Sequence, residues 1–298
     1  MRRLLKDRWA ERSMHLLAIL AGLVVILIAF TLYDRSRGVL QTRPLLGLLF
    51  SSDWHPHRGE FGFLSFIAGT IWVTGVAMTI AIPVCLLTSI YLAEYAPKKL
   101  REWVSPFIDI LAGIPSVIYG IWGLLVVVPL IRERLAPLFG FSSSGYCVLA
   151  GGIVLAIMVF PVVIHISMEI FKAVPRELKE ASLALGATKW QTVKHVVIKR
   201  AMPGIVAAMV LGLSRAFGET IAVLMVVGNV ARAPKSLFEA GYPLPALIAN
   251  NYGEMLSIPL YDSALLFAAL ILLLLVLYFN IVARMILSGT RWSNYYYA

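Results

Sequence analysis

Charge is scarce in this chain. Only 14% of its 298 residues are charged, 60% are hydrophobic, and the mean hydropathy is +0.84. A water-soluble protein of this size could not cover so much apolar surface, so the composition indicates an integral membrane protein. Acidic residues are the rarer charge, 16 against 26 Lys plus Arg, for a formal net charge of +10. In a soluble chain that excess would suggest nucleic acid. In a membrane chain it is what basic inner loops contribute, and no nucleic-acid partner is expected. Cysteine is nearly absent. Cys85 and Cys147 fall in separate apolar runs without pair spacing, which excludes a disulfide framework and leaves them as packing residues. Also missing are a Gly-x-x-x-x-Gly-Lys-Ser/Thr loop, a His-Glu-x-x-His helix and a Cys-x-x-Cys pair. The chain shows no nucleotide-hydrolysing or metal-site signature of its own, and no catalytic residue is assigned.

Apolar runs are what the sequence has in abundance. Six can be drawn, near Met14–Tyr33, Phe66–Leu92, Val104–Ile131, Tyr146–Phe171, Pro203–Val230 and Leu260–Leu287. Each has about 20 residues or more, enough helix to cross about 30 Å of hydrocarbon. The first lacks a small-x-small cleavage site after it, so it reads as a retained helix rather than a removed signal. The expected architecture is all-α and polytopic, with six transmembrane helices. Residues 1–63 hold the first helix and an outer loop, and residues 64–290 hold the other five helices. Six crossings put both termini on one side. Lys and Arg are about twice as frequent on that side, through Arg2, Lys6, Lys98, Arg101, Lys194, Arg291 and others, which predicts cytoplasmic termini and a cytoplasmic loop 175–200.

That loop is the longest basic interruption in the chain. It reads as two short helices with a break: Pro175 suits the first turn, Gly186 can end the first helix, and Thr188 with Gln191 has capping-box spacing. Ala181, Ser182, Ala184 and Ala187 keep a low profile that lets another backbone approach, although an ordinary amphipathic surface helix would look the same by composition. Glu180-Ala181-Ser182, Gly186 and Val196-Val197-Ile198 resemble the EAA motif of ABC-importer permeases. Ser182 replaces the second Ala, and Lys199 stands where the family has Pro, with Pro203 four residues later. The resemblance implies that Glu180, Ala181, Ser182 and Gly186 seat the loop in a groove of an ATP-hydrolysing subunit.

A second interruption lies inside the fifth run. Arg215 and Glu219 are four residues apart and would share one helical face. An Arg at the centre of a membrane helix costs roughly 2.5–3.5 kcal/mol on insertion scales. A membrane-buried hydrogen bond returns about 0.6 kcal/mol on average. A purely structural pair is therefore a poor explanation. An anion path is favoured, with Arg215 facing the substrate and Glu219 restraining it. In the third run, Gly113 and Pro115 could break the helix and leave Ser116 at a new helix start, where free N–H groups favour an anion; a proline kink with packing glycines is the alternative. Asp109, His165 and Glu169 read as interfacial or structural groups, and the long outer loop 231–258 as a surface loop or a segment dipping into an outer vestibule.

Three stretches carry a more specific resemblance. Gly212–Val223 running to Gly228-Asn229, Ala112–Gly123, and Phe61-Gly62-Phe63-Leu64 are similar to the PstC-type permeases of phosphate ABC importers. Ile221-Ala222 stands where the sister PstA type has Ala-Pro. The likeness implies a type I ABC importer permease fold and inward transport of inorganic phosphate, with Arg215, Glu219, Ser116 and Thr220 on the substrate pathway. It also implies a PstA-type partner permease, two ATPase copies carrying ATP and Mg, and a phosphate-binding protein that delivers the cargo; no cofactor is expected on this chain. Rival readings are an importer of molybdate, sulfate or phosphonate, an ATPase-independent transporter or channel, and a membrane-embedded sensor.

Overall fold

The computed structural model describes residues 2–253 and 258–289. Arg291, counted among the inner basic residues, lies outside them. Six described helices are long and apolar enough to cross a membrane. The first, α1 (Arg2–Arg35), has its apolar window wholly exposed, as suits a helix that faces lipid. α2 (Leu64–Tyr95) follows an outer segment of two short helices, Arg37–Leu40 and Leu45–Phe50, and a two-stranded hairpin, Trp54–His55 with Glu60–Phe61. The Phe61-Gly62-Phe63 stretch acquires a physical reason here. Phe61 and Phe63 are buried around Trp54, with ring centroids 5.5 Å from it in each case, and a Cβ on Gly62 would meet the Ser51 carbonyl oxygen at 2.5 Å.

The third apolar run is two helices. α3 (Lys98–Gly113) ends at Gly113, Ile114 is extended, and α4 (Ser116–Leu138) begins after Pro115. Proline cannot donate and disfavours a helical residue before it, so the break falls where Gly113 and Pro115 predict. α4 widens into π turns at Gly123–Val127 and Ile131–Leu135, each next to a proline, Pro129 or Pro137. α5 (Val148–Lys172) is the central helix. Its first N–H groups are capped by loop carbonyls: Cys147 N donates to Val226 O, Val148 N to Glu239 O and Leu149 N to Leu237 O. α2 runs parallel to α5 at close range, because Gly152 leaves room for Val76 and Gly151 for Val73. α3 and α4 run antiparallel to it. Asp109 meets His165, Ala112 and Pro161 line one cleft, and Gly123 faces Val154.

The loop 175–200 forms α6 (Arg176–Ala184) and the start of α7 (Lys189–Gly218). Here the structure corrects an expectation. The second loop helix is not separate from the fifth span; it continues through Lys199 and Pro203 into it. With 30 residues, α7 is about 45 Å long, so its first turns project well beyond the hydrocarbon. The fifth span is correspondingly shorter than Pro203–Val230, because the helix stops at Gly218. One turn, Ile221–Leu224, and an irregular segment follow, then α8 (Leu244–Asn251) and α9 (Tyr261–Gly289). The outer loop dips inward: Tyr242, Leu244, Ala246 and Leu247 are buried, and Leu244 N donates to Thr70 Oγ1 at 2.9 Å. Cys85 and Cys147 are both free and buried.

Candidate functional site

The end of α7 is where the chain gives up its helix inside the protein. Glu219 has an extended backbone (φ −73°, ψ 127°), and its N–H bonds back to Ala216 O at 3.4 Å. Glu219 Oε1 then accepts from Ala222 N at 3.4 Å, so the carboxylate caps the turn Ile221–Leu224. Thr220 Oγ1 donates to Gly218 O at 3.3 Å. No ion pair joins Arg215 to Glu219 among the described residues; the Glu219 carboxylate is engaged with the Ala222 N–H instead. The helix stops at Gly218, and the Glu219 carboxylate lies at the next helix start, where negative charge is favoured.

Arg215 is exposed on the surface of this chain, within electrostatic reach of Tyr119 on α4. Glu219 and Thr220 are half-buried, as is Ser116. The two breaks come together because Gly120 permits it: a Cβ there would meet Met225 Sδ at 2.5 Å and Ala222 Cα at 3.2 Å. The helix that begins at Ser116 thus packs at Gly120 against the turn Ile221–Leu224. On the other flank of Glu219 is a crevice lined by Thr70 and Thr74 of α2, Leu155 of α5, Phe217, Pro243 and Pro245. Register along α5 gives the depth. Val163 and Val159 meet Gly212, and Ile170 meets Gly204, so Arg215 lies nearer the middle of α5 than either end. Gly228 and Asn229 close the segment in left-handed conformations (φ 95° and 52°), Asn being one of the few non-glycine residues that tolerates this, and Asn229 Nδ2 donates to Leu224 O at 2.8 Å.

The loop 175–200 is built from local signals. α6 ends as expected, with Gly186 at φ 83°, its N–H on Leu183 O and the Ala187 N–H on Ser182 O. Thr188 and Gln191 form the reciprocal capping box. Glu180, Ala181 and Ala184 are exposed, and Leu185 at the tip is 90% exposed. Ser182 does more than keep a low profile: its Oγ lies 3.0 Å from Thr192 Oγ1, joining the two loop helices.

Three polar contacts escaped the sequence reading. Asn280 of α9 bonds Ser214 beside the α7 break, through Asn280 Nδ2 to Ser214 Oγ at 3.0 Å. Thr70 holds the inward loop. Lys179 of α6 pairs with Glu94 of α2 at 2.6 Å. A polar residue alone in an apolar run, as Asn280 is, was the available signal; the others had none. Asp109 and His165 pair at 3.4 Å, and Glu169 with Lys172 at 2.7 Å, in keeping with structural roles.

Residues 85–292 match the family model described as Binding-protein-dependent transport system inner membrane component. The chain belongs to this permease family. Among its relatives, Phosphate transport system permease protein PstC of Xylella fastidiosa (strain 9a5c) is 38% identical, with 95% of this chain and 92% of the relative covered. The protein of the same name from Haemophilus influenzae is 33% identical, covering 93% and 92%. Among solved structures, the permease resembles a chain of the MetNI methionine ABC transporter in an inward-facing conformation (TM-score 0.59, 23% identity, 76% of this chain and 95% of that one). It also resembles one of a bacterial alginate ABC transporter in complex with an alginate pentasaccharide-bound periplasmic protein (TM-score 0.59, 17% identity, 92% and 93%). At those identities the likeness is one of fold, the type I ABC importer permease fold. The permease is a multi-pass inner-membrane protein.

Proposed function

We propose that this permease carries inorganic phosphate inward and forms half of an ATP-driven pathway. The observation that carries the cargo assignment is the likeness to phosphate permeases across 95% of the chain at 38% identity. The other half is a PstA-type permease. A dimer of ATP-binding subunits, holding ATP and Mg, docks on the loop 175–200 of residues 64–290, and a phosphate-binding protein delivers cargo at the outer face. Both termini are cytoplasmic, which agrees with the basic inner segments. Supporting the docking role, Leu185 stands 90% exposed at the loop tip, and burying such a side chain against a partner contributes about 1.5–3 kcal/mol. Glu180, Ala181, Ser182 and Gly186 form the seat.

On the pathway, Arg215 lowers the electrostatic barrier for the anion. No carboxylate pairs with it among the described residues, so its charge is available to cargo. Ser116 opens a helix whose first N–H groups favour negative charge, and Thr220 adds a hydroxyl at the end of α7. Glu219 holds the break open by capping the next turn. The test is labelled-phosphate uptake by vesicles holding the complete complex, with molybdate, sulfate and phosphonate as competitors. Phosphate alone should compete strongly. Arg215→Gln and Glu219→Gln should each lower uptake about 10- to 100-fold, the range for losing a charged hydrogen-bond partner. Normal uptake in both variants with assembly intact removes these residues from the pathway.

A further inference from the structure

The loop 175–200 is fastened to one end of one helix. Lys179 Nζ lies 2.6 Å from Glu94 Oε1, and the two side chains are only 21% and 10% exposed. Lys98–Glu102, by comparison, is 3.8 Å long with side chains 87% and 63% exposed. One residue on, Tyr95 receives Lys189 Nζ over its ring at 4.7 Å. Lys179 belongs to α6 and Lys189 begins α7, so both loop helices grip the π turn Tyr91–Tyr95 that ends α2. The Ser182–Thr192 contact locks those two helices to each other. Beneath them Ile90, Phe171, Val174, Val193 and Val197 form one apolar cluster.

The other end of α2 reaches the pathway. Thr70 and Thr74 line the Glu219 crevice, and Thr70 Oγ1 also holds Leu244 N. α2, 32 residues in all, is continuous between these points, and Thr70 and Glu94 lie about 36 Å apart along it. Pro83 removes one backbone bond on the way, but Val73, Ala77, Ala81 and Cys85 stay packed in a single cluster with α5 on both sides of it. We propose that the Glu94–Lys179 pair is the joint through which the coupling loop moves α2, and that α2 carries this movement to the Glu219 crevice. Glu94 and Lys179 are thus positioning residues, acting through α2 and touching no substrate. The proposal rests on the reading that the loop docks an ATPase. Its physical basis is that a partly desolvated pair holds one geometry, and loss of either partner leaves the other charge without compensation.

The test uses the full complex in proteoliposomes. Phosphate uptake and ATP hydrolysis are measured together, and Thr74→Cys, which lines the crevice, reports ATP-dependent maleimide labelling there; Cys85 and Cys147 are buried and do not compete. In Glu94→Gln, hydrolysis should stay near the wild-type rate. Uptake per ATP and the ATP-dependent labelling change should both fall by about 2- to 30-fold, the range for residues that carry coupling. Glu94→Lys combined with Lys179→Glu should recover much of both. Should Glu94→Gln fail to assemble, Lys179→Met breaks the same bond from the loop side. Unchanged uptake per ATP and labelling, or hydrolysis lost in step with uptake, overturns the joint. A reporter-cysteine complex that labels in response to ATP, beside a wild-type complex that carries no phosphate, overturns the cargo reading alone, and the labelling arm still decides the joint.

Discussion

The loop 175–200 holds its shape with its own caps and leaves Leu183 and Leu185 exposed, whereas the Glu219 crevice is assembled from α2, α5, the α7 break and the inward outer loop. In the proposed function the loop is a tip that docks a partner, in keeping with its own caps and its exposed Leu183 and Leu185. In the same proposal the crevice changes shape within the protein, and it is shared among segments from α2, α5, the α7 break and the inward loop. A helix that ends inside the membrane leaves unpaired backbone groups, and these are tolerated only where other protein segments or a polar path satisfy them. Glu219 satisfies one such group through the Ala222 N–H, which makes it part of the architecture as well as of the proposed pathway.

Three substitutions press on this contrast. Gly186→Trp strikes the loop at its left-handed residue and places an indole beside Leu185. It should abolish co-purification of the ATPase while the permease remains in the membrane, and an ATPase recovered at normal stoichiometry would show that the tip is not a docking element. Gly120→Val strikes the junction instead, where the new side chain collides with Met225 and Ala222. Overpacking of that kind costs about 1–3 kcal/mol, so the melting temperature in detergent should drop and phosphate uptake should fall with the ATPase still bound. Loss of ATPase binding in this variant would mean that the two regions are not separable. Asn280→Leu, the mildest, removes the bond to Ser214 beside the break. A membrane hydrogen bond of this type contributes about 0.6 kcal/mol on average, so the melting temperature should move by little and docking not at all. A large loss of uptake there would extend the pathway to α9.

How much could be read in advance follows the same division. Gly186, Thr188 and Gln191 act within one or two helical turns, so their spacing alone predicts the loop. Gly113 and Pro115 likewise announce the break before Ser116. The stop at Gly218 was missed because Arg215 and Glu219 have helical spacing, and only the packing of Ile221–Leu224 against α4 makes a new helix start there favourable. Proline and glycine around Tyr242–Leu247 leave a surface loop and an inward-dipping segment both open, and Thr70 with the aromatic cluster around Trp54 decides for the inward course. Continuity of α7 through Lys199 was hidden for a simpler reason: Pro203 invited a boundary that a helix beginning at Lys189 did not need.

The sequence by itself determined the membrane class, the number of crossings, the caps of the loop and the family motifs, because hydropathy, helix-end chemistry and residue spacing act over short distances along the chain. Only the tertiary structure decided that Gly120 packs against the turn Ile221–Leu224, that Glu219 caps rather than pairs with Arg215, and that Lys179 grips Glu94. Those outcomes depend on Gly120, Gly151 and Gly152 letting helices approach, and on which distant groups then become neighbours, so no local pattern could encode them.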